Sequence, residues 1–154
     1  NMFIVKEIVM NIERGFKLAK NASEFSDYNK KNIHIGSVIM YKNKVVGIGW
    51  NTKKTHPCQM KYNKYREHSG EREYISEEHE PCLHAEIMAL QHATRSFKGD
   101  LSKCSIFVYS EKKEGCKRLT RLTKPCNACS KRLEELGIRN IYYTTNNGWQ
   151  YERR

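Results

Sequence analysis

The sequence predicts an α/β fold in which helices cover a mixed central β-sheet. Three observations carry that prediction. Apolar residues recur at helical spacing in three segments, runs of β-branched and aromatic residues lie between them, and the elements come in the order helix, hairpin, helix, strand, helix, strand. With 154 residues, 38% of them hydrophobic, the chain is long enough to bury a core and is expected to form one domain over residues 1–154.

Ile4, Val5, Ile8, Val9, Ile12, Phe16 and Ala19 place an amphipathic helix over residues 4–20. Ile35 to Tyr41 and Val45 to Trp50 are strand-like, and Lys42-Asn43-Lys44 joins them as a hairpin. Residues 51–80 carry six Lys/Arg and six Asp/Glu without a clear period, which predicts a long loop or polar insertion. Pro81 introduces a second helix with Leu83, Ile87, Leu90 and Thr94 on one stripe. Ser105 to Ser110 is a third strand, and a basic connection follows it. Pro125 starts a third helix that runs through Leu136 and is closed by Gly137. Arg139 to Thr145 is a fourth strand, which Asn146-Asn147-Gly148 turns back into an antiparallel return through Tyr151.

The charge balance is 28 Lys+Arg against 17 Asp+Glu, a net +11 that attracts phosphate in some form. No apolar run reaches the roughly 18 residues of a membrane span, so no membrane partner is expected. Lys6 and Glu7 come too early for a secretory signal, which predicts a soluble, cytoplasmic protein. That compartment argues against pairing the six cysteines as disulfides. Only Cys126 and Cys129 form a C-x-x-C pair. A redox pair belongs after the first strand of a thioredoxin-like unit, whereas this one lies late in the chain, so a metal half-site is the better reading.

Two helix starts carry unusual residues, Pro81-Cys82-Leu83-His84-Ala85-Glu86 and Pro125-Cys126-Asn127-Ala128-Cys129. Positions three apart share a helix face, so Cys126 and Cys129 can point at one ion. With His84 they make a three-ligand zinc set that leaves one tetrahedral position open. Helix N-terminal dipoles favour the thiolates, and Glu86 is placed to reach a water at the open position without being a ligand.

These residues match the H-x-E … P-C-x-x-C signature of zinc nucleobase deaminases. Over roughly residues 4 to 151 the chain resembles the cytidine and deoxycytidylate deaminase superfamily. The resemblance implies a three-layer α/β/α domain with zinc at two helix N-termini, and hydrolytic deamination of a base. His84, Cys126 and Cys129 would hold one catalytic zinc, which activates a water, and Glu86 would carry its proton to the ring nitrogen. Backbone amides of Ala85 and Cys126 would hold the base. Asn51, at the end of the second strand, matches an asparagine that bonds the substrate near its sugar. Free-nucleoside relatives follow that asparagine two positions later with a glutamate. Here Lys53 stands there, which favours a phosphorylated substrate.

Some relatives carry a second, structural zinc. His56, Cys58, His68, His79 and Cys82 are of suitable types, but their spacing fits no standard pattern. Cys104 reads as a small buried hydrophobe, His34 and His92 as structural, and Tyr62, Tyr65 and Tyr74 as packing residues that could stack on a base. Residues 112–124 hold six basic residues against Glu114 and lead directly into Pro125-Cys126. They contain no aromatic residue, which lowers a nucleic-acid reading. An antiparallel last strand pair is typical of the cytidine-deaminase branch, whereas deoxycytidylate and tRNA-adenosine enzymes run that pair parallel and share the H-A-E set. The two signals point to different branches.

The expected function is conversion of cytosine to uracil in a free nucleotide such as dCMP, within nucleotide metabolism. A nucleic-acid deaminase acting on cytosine or adenine is the alternative, and a catalytically inactive zinc-stabilised nucleic-acid-binding domain is the second. The resemblance also implies a homo-oligomer.

Overall fold

The computed structural model describes residues 1–28, 33–67 and 82–154. Helix α1 spans Met2–Ser23, capped by the Asn1 side chain, which accepts from the Phe3 amide at 3.0 Å. The hairpin follows as β1 (Ile35–Tyr41) and β2 (Lys44–Trp50). Short helices α2 (Pro57–Tyr62) and α3 (Lys64–Glu67) come next, then α4 (Ala85–Ser96). Strands β3 (Ser105–Glu114) and β4 (Lys117–Thr120), helix α5 (Asn127–Leu136) and strands β5 (Asn140–Thr145) and β6 (Gly148–Arg153) complete the described chain.

The predicted mixed sheet is present, in the order β2-β1-β3-β5-β6, with β4 paired to the far end of β3. Among the described residues, only β3 and β5 pair in parallel, and the last pair, β5–β6, is antiparallel as the Asn-Gly turn predicts. Strand alternation sorts the core into two layers. Val38, Met40 and Phe107 point to α1 and pack on Phe16 and Ala19. Ile39, Ile106, Val108, Ile141 and Tyr143 point the other way, onto Ala89, Leu90 and Ala93 of α4 and Leu133 of α5.

Two expectations change. Within the segment read as a long loop or polar insertion, residues 57–62 and 64–67 form the helices α2 and α3. The His56 side chain caps α2 by accepting from the Cys58 amide at 3.0 Å, and Pro57 supplies a fixed φ at the first helical position. The connection after β3 is not a loop either: β3 continues past Ser110 and returns as β4, with Lys113 opposite Arg118. Pro81 and the second-zinc candidates His68 and His79 lie outside the described residues, as does Tyr74.

Strands β2 and β3 run parallel to each other, each antiparallel to β1, and are followed by α4 and α5. Both helices therefore start at the same end of the sheet, where α/β folds place their ligands. Gly49 allows the close approach this needs. A Cβ there would run into the Ala85 carbonyl and lie 2.5 Å from the Ala89 nitrogen. Gly49→Ala is expected to lower stability by about 1–3 kcal/mol through overpacking. Thermal unfolding against wild type measures it, and an unchanged midpoint would show that α4 can yield.

Candidate functional site

Three local features bring the two helix starts together. Leu83 bridges to Thr52, each amide donating to the other's carbonyl at 3.1–3.2 Å, so the chain past β2 anchors the residue before His84. On the α5 side, the Thr123 hydroxyl bonds Val108 at 3.1 Å, and the Thr144 hydroxyl donates to the Arg121 carbonyl at 2.7 Å. These bonds clamp residues 121–123 across the ends of β3 and β5, just before Pro125-Cys126. Finally, the buried Gln59 of α2 accepts from the His84 amide at 3.0 Å and donates to Asn63 at 2.7 Å.

His84 and Cys126 occupy the N-cap positions of α4 and α5, and neither side chain caps its helix. Ser, Thr, Asp or Asn at these positions would satisfy an orphan amide. The two side chains instead turn toward each other. His84 Nδ1 lies 3.5 Å from Cys126 Sγ and 3.4 Å from Cys129 Sγ. All three donor atoms fall within 4.8 Å of one another, the one such group of three or more among the described residues. Zinc bonds of about 2.0–2.1 Å to nitrogen and 2.3 Å to sulfur at a tetrahedral angle imply an N···S edge of roughly 3.5 Å. The donor set and its spacing fit zinc.

Its electrostatics fit too. Hydrogen bonding to Cys129 holds the Cys126 thiol well below its usual range, burial opposes this, and the His84 charge reinforces it. Burial by itself would lower His84, yet its Cys126 neighbour outweighs that and pushes the ring up to about 10. A buried thiolate beside an imidazole that seeks positive charge is an environment suited to a cation. Glu86, in the first turn of α4, is 5% exposed, and burial raises its carboxyl above the usual range. A carboxyl whose charged form is disfavoured is able to hold a proton and give it up.

Ala85 is fully buried in the same turn as Glu86, where amides lack intrahelical acceptors. Asn51 is 5% exposed. Its Oδ1 accepts from the Ile35 amide at 2.9 Å and the Ser26 hydroxyl at 2.6 Å, and its Nδ2 donates to the Ile33 carbonyl at 2.8 Å. It thus ties the entry of β1 to the exit of α1 beside the site. Lys53 is exposed, and its amide donates to Asp27 at 3.0 Å.

Sequence reasoning missed Gln59 and Arg66, whose guanidinium Nη1 lies 3.2 Å from His84 Nε2. The His56-Pro57 helix start is the signal that leads to both. Tyr62 is buried against Glu135 and Arg132, and Tyr65 packs under Lys64 and Lys131. His92 Nδ1 accepts from the Ile48 amide at 3.1 Å, a structural role. Cys104 is fully buried, with its thiol pushed up to about 11 by burial, as expected of a small hydrophobe. A surface hollow of about 650 Å³ runs along α5 past Lys131 and Arg139 and contains no residue of the zinc set.

Residues 10–145 match the family model described as the cytidine and deoxycytidylate deaminase zinc-binding region. A cytidine deaminase from Burkholderia pseudomallei superposes with a TM-score of 0.59 at 18% identity, covering 92% of this chain and 91% of that one. The dCMP deaminase of cyanophage S-TIM5 in its apo form gives 0.54 at 21% identity, covering 87% and 82%. Its complex with dCMP and dUMP gives 0.55 at 20% identity, covering 86% and 79%. No curated protein matches the chain. Among the described residues, no helix is long and apolar enough to cross a membrane.

Proposed function

The chain belongs to the cytidine and deoxycytidylate deaminase zinc-binding family, and from that premise we propose that residues 1–154 form a deaminase domain converting cytosine to uracil in a free nucleotide such as dCMP. The reaction consumes one water and releases ammonia. The observation that carries this reading is the convergence of His84, Cys126 and Cys129 beside a buried carboxylate, Glu86. The three donors would hold one zinc, which supplies Lewis-acid activation of a water when bound.

Glu86 takes the proton of the attacking water and delivers it to the ring nitrogen. As the C–N bond breaks, the same carboxyl takes the remaining proton of the hydroxyl now on the ring carbon and passes it to the departing amine, so that ammonia leaves and the carbonyl of uracil forms. The amides of Ala85 and Cys126, at two helix starts, hold the base edge. Asn51 meets the sugar through its amide nitrogen, and Lys53 meets the phosphate. The absence of a carboxylate at position 53 supports a phosphorylated substrate over a free nucleoside. Cytoplasmic nucleotide metabolism is the setting this activity fits.

Lys53→Glu is expected to raise KM for dCMP about tenfold or more while leaving kcat within a few-fold, as loss of ground-state phosphate binding does. Deoxycytidine should be less affected. An equal effect on both substrates would take Lys53 away from the phosphate.

A specific feature supports nucleic acid as the second reading. Strand β3 runs four residues past Ser110, about 13 Å at the rise of a strand. This β3–β4 ribbon and its exit spread Lys112, Lys113, Lys117, Arg118, Arg121 and Lys124 over more length than one phosphate needs. An inactive zinc-stabilised binding domain is disfavoured by Glu86, since a structural ion has no use for a buried carboxylate beside it. A panel of nucleosides, nucleotides and single-stranded oligonucleotides, read by product mass, separates these readings. Deamination of dCMP without any polymer is expected. Conversion of oligonucleotide cytosine with none in dCMP or CMP would replace the first reading by the second.

A further inference from the structure

The first half of α1 is exposed and, apart from Lys6 and Glu7, apolar from Met2 to Met10. Asn1 through Met10 are all exposed, and among them Met2, Phe3, Ile4, Val5, Ile8, Val9 and Met10 range from 46% to 81%. Met2 to Val5 are four consecutive apolar residues, so at 3.6 residues per turn they leave no polar face. A helix that is apolar all round is a buried helix. The second half of α1 is amphipathic instead, with Phe16, Ala19 and Ala22 buried on the sheet and Glu13, Arg14 and Lys17 exposed. The first half overhangs it.

The overhang is part of a larger surface. Helix α1 packs on β1, β2 and β3. On the same face of the sheet, Phe16 reaches Trp149 at 5.6 Å between ring centroids, and Tyr142 reaches Tyr151 at 4.7 Å. Trp149 and Tyr151 remain 51% and 41% exposed. Ile8 and Ile12 line one hollow with Phe107 and Tyr142, which connects the helix overhang to these aromatics. The nine exposed side chains, at roughly 100 Å² each, offer on the order of 900 Å² per chain, which meets the ~800 Å² per partner of a standard interface.

We propose that this face, α1 residues 2–10 with Trp149 and Tyr151, is the contact between two copies of the chain. Charge selects that occupant. The chain carries +11, yet residues 1–12 contain only Lys6 and Glu7 and are neutral. A membrane-surface helix needs a basic polar face around its apolar one, and this segment has none. A neutral apolar patch spares two strongly basic copies from meeting charge to charge. An isologous contact also needs only one patch, used twice. This inference stands apart from the catalytic reading and does not depend on turnover.

Sedimentation of the full chain over a micromolar concentration range tests it. Wild type is expected to be a dimer, or a larger even-numbered assembly built from it. The double variant Ile4→Glu/Ile8→Glu should dissociate at least 100-fold more readily, and Trp149→Glu should also weaken association. Both should keep wild-type circular dichroism, since these side chains are exposed within one copy. Met60→Glu, at an equally exposed apolar residue on α2, should leave the assembly intact. A monomeric wild type, an assembly unmoved by the α1 substitutions, or equal loss with Met60→Glu would overturn the proposal. So would wild-type monomer that sediments with phosphatidylcholine vesicles.

Discussion

Glu86→Gln should abolish measurable ammonia release from dCMP while leaving about one zinc per chain. Gln has the shape of Glu but cannot carry a proton between the attacking water, the ring nitrogen and the leaving amine. General acid–base catalysis contributes about 10²–10⁴-fold, so turnover should fall by at least that range. The folded state should not suffer. Glu86 is 5% exposed and its charged form is disfavoured by burial, so a neutral amide costs nothing there and the thermal midpoint should hold or rise. Turnover near wild type would remove Glu86 from the chemistry. Lost turnover together with lost zinc would assign it to holding the metal.

Cys129→Ser should act on the fold as well as on the chemistry. Cys129 is fully buried, and with Cys126 and His84 it joins α5 to α4. Zinc content should drop from about one ion per chain toward zero. A ligand that binds only the folded state stabilises it by about 4 kcal/mol at 1,000 times its Kd. For a domain near 150 residues, each kcal/mol moves the midpoint by about 2–4 °C, so a fall of about 10 °C is expected. A strong chelator should produce the same fall in wild type and none in the variant. A variant that keeps its zinc, or a wild type indifferent to chelator, would mean that the three donors do not hold the ion together.

The convergence of His84, Cys126 and Cys129 was legible because their spacing encodes it. His84 and Cys126 are 42 positions apart, yet each stands at the cap of a helix, and those helices follow two strands that point the same way. The terminal hairpin was legible from Asn147-Gly148, where Gly148 takes a φ of 138°. Helices α2 and α3 were not legible. At six and four residues they are too short to show a period, and much of their stability comes from packing on α5. Gln59 and Arg66 were lost with them. Strand β4 was hidden for another reason: Lys117-Arg118-Leu119-Thr120 has no apolar alternation, since it pairs with β3 beyond the core. Its identity as a strand depends on its partner. Asn51 was legible as a candidate substrate contact, but its bonds to Ser26, Ile33 and Ile35, which leave one Nδ2 hydrogen to offer, could be read only from the fold.

On the proposed reading, His84, Cys126 and Cys129 would hold a zinc beside Glu86, and the site so formed converts a cytosine nucleotide to its uracil counterpart. The most direct measurement incubates zinc-loaded protein with dCMP in heavy-oxygen water and reads the product by mass spectrometry. The expected product is dUMP carrying one solvent oxygen, together with an equal amount of ammonia, and neither product from Glu86→Gln. Unchanged dCMP, or dUMP formed equally well by Glu86→Gln, would contradict it.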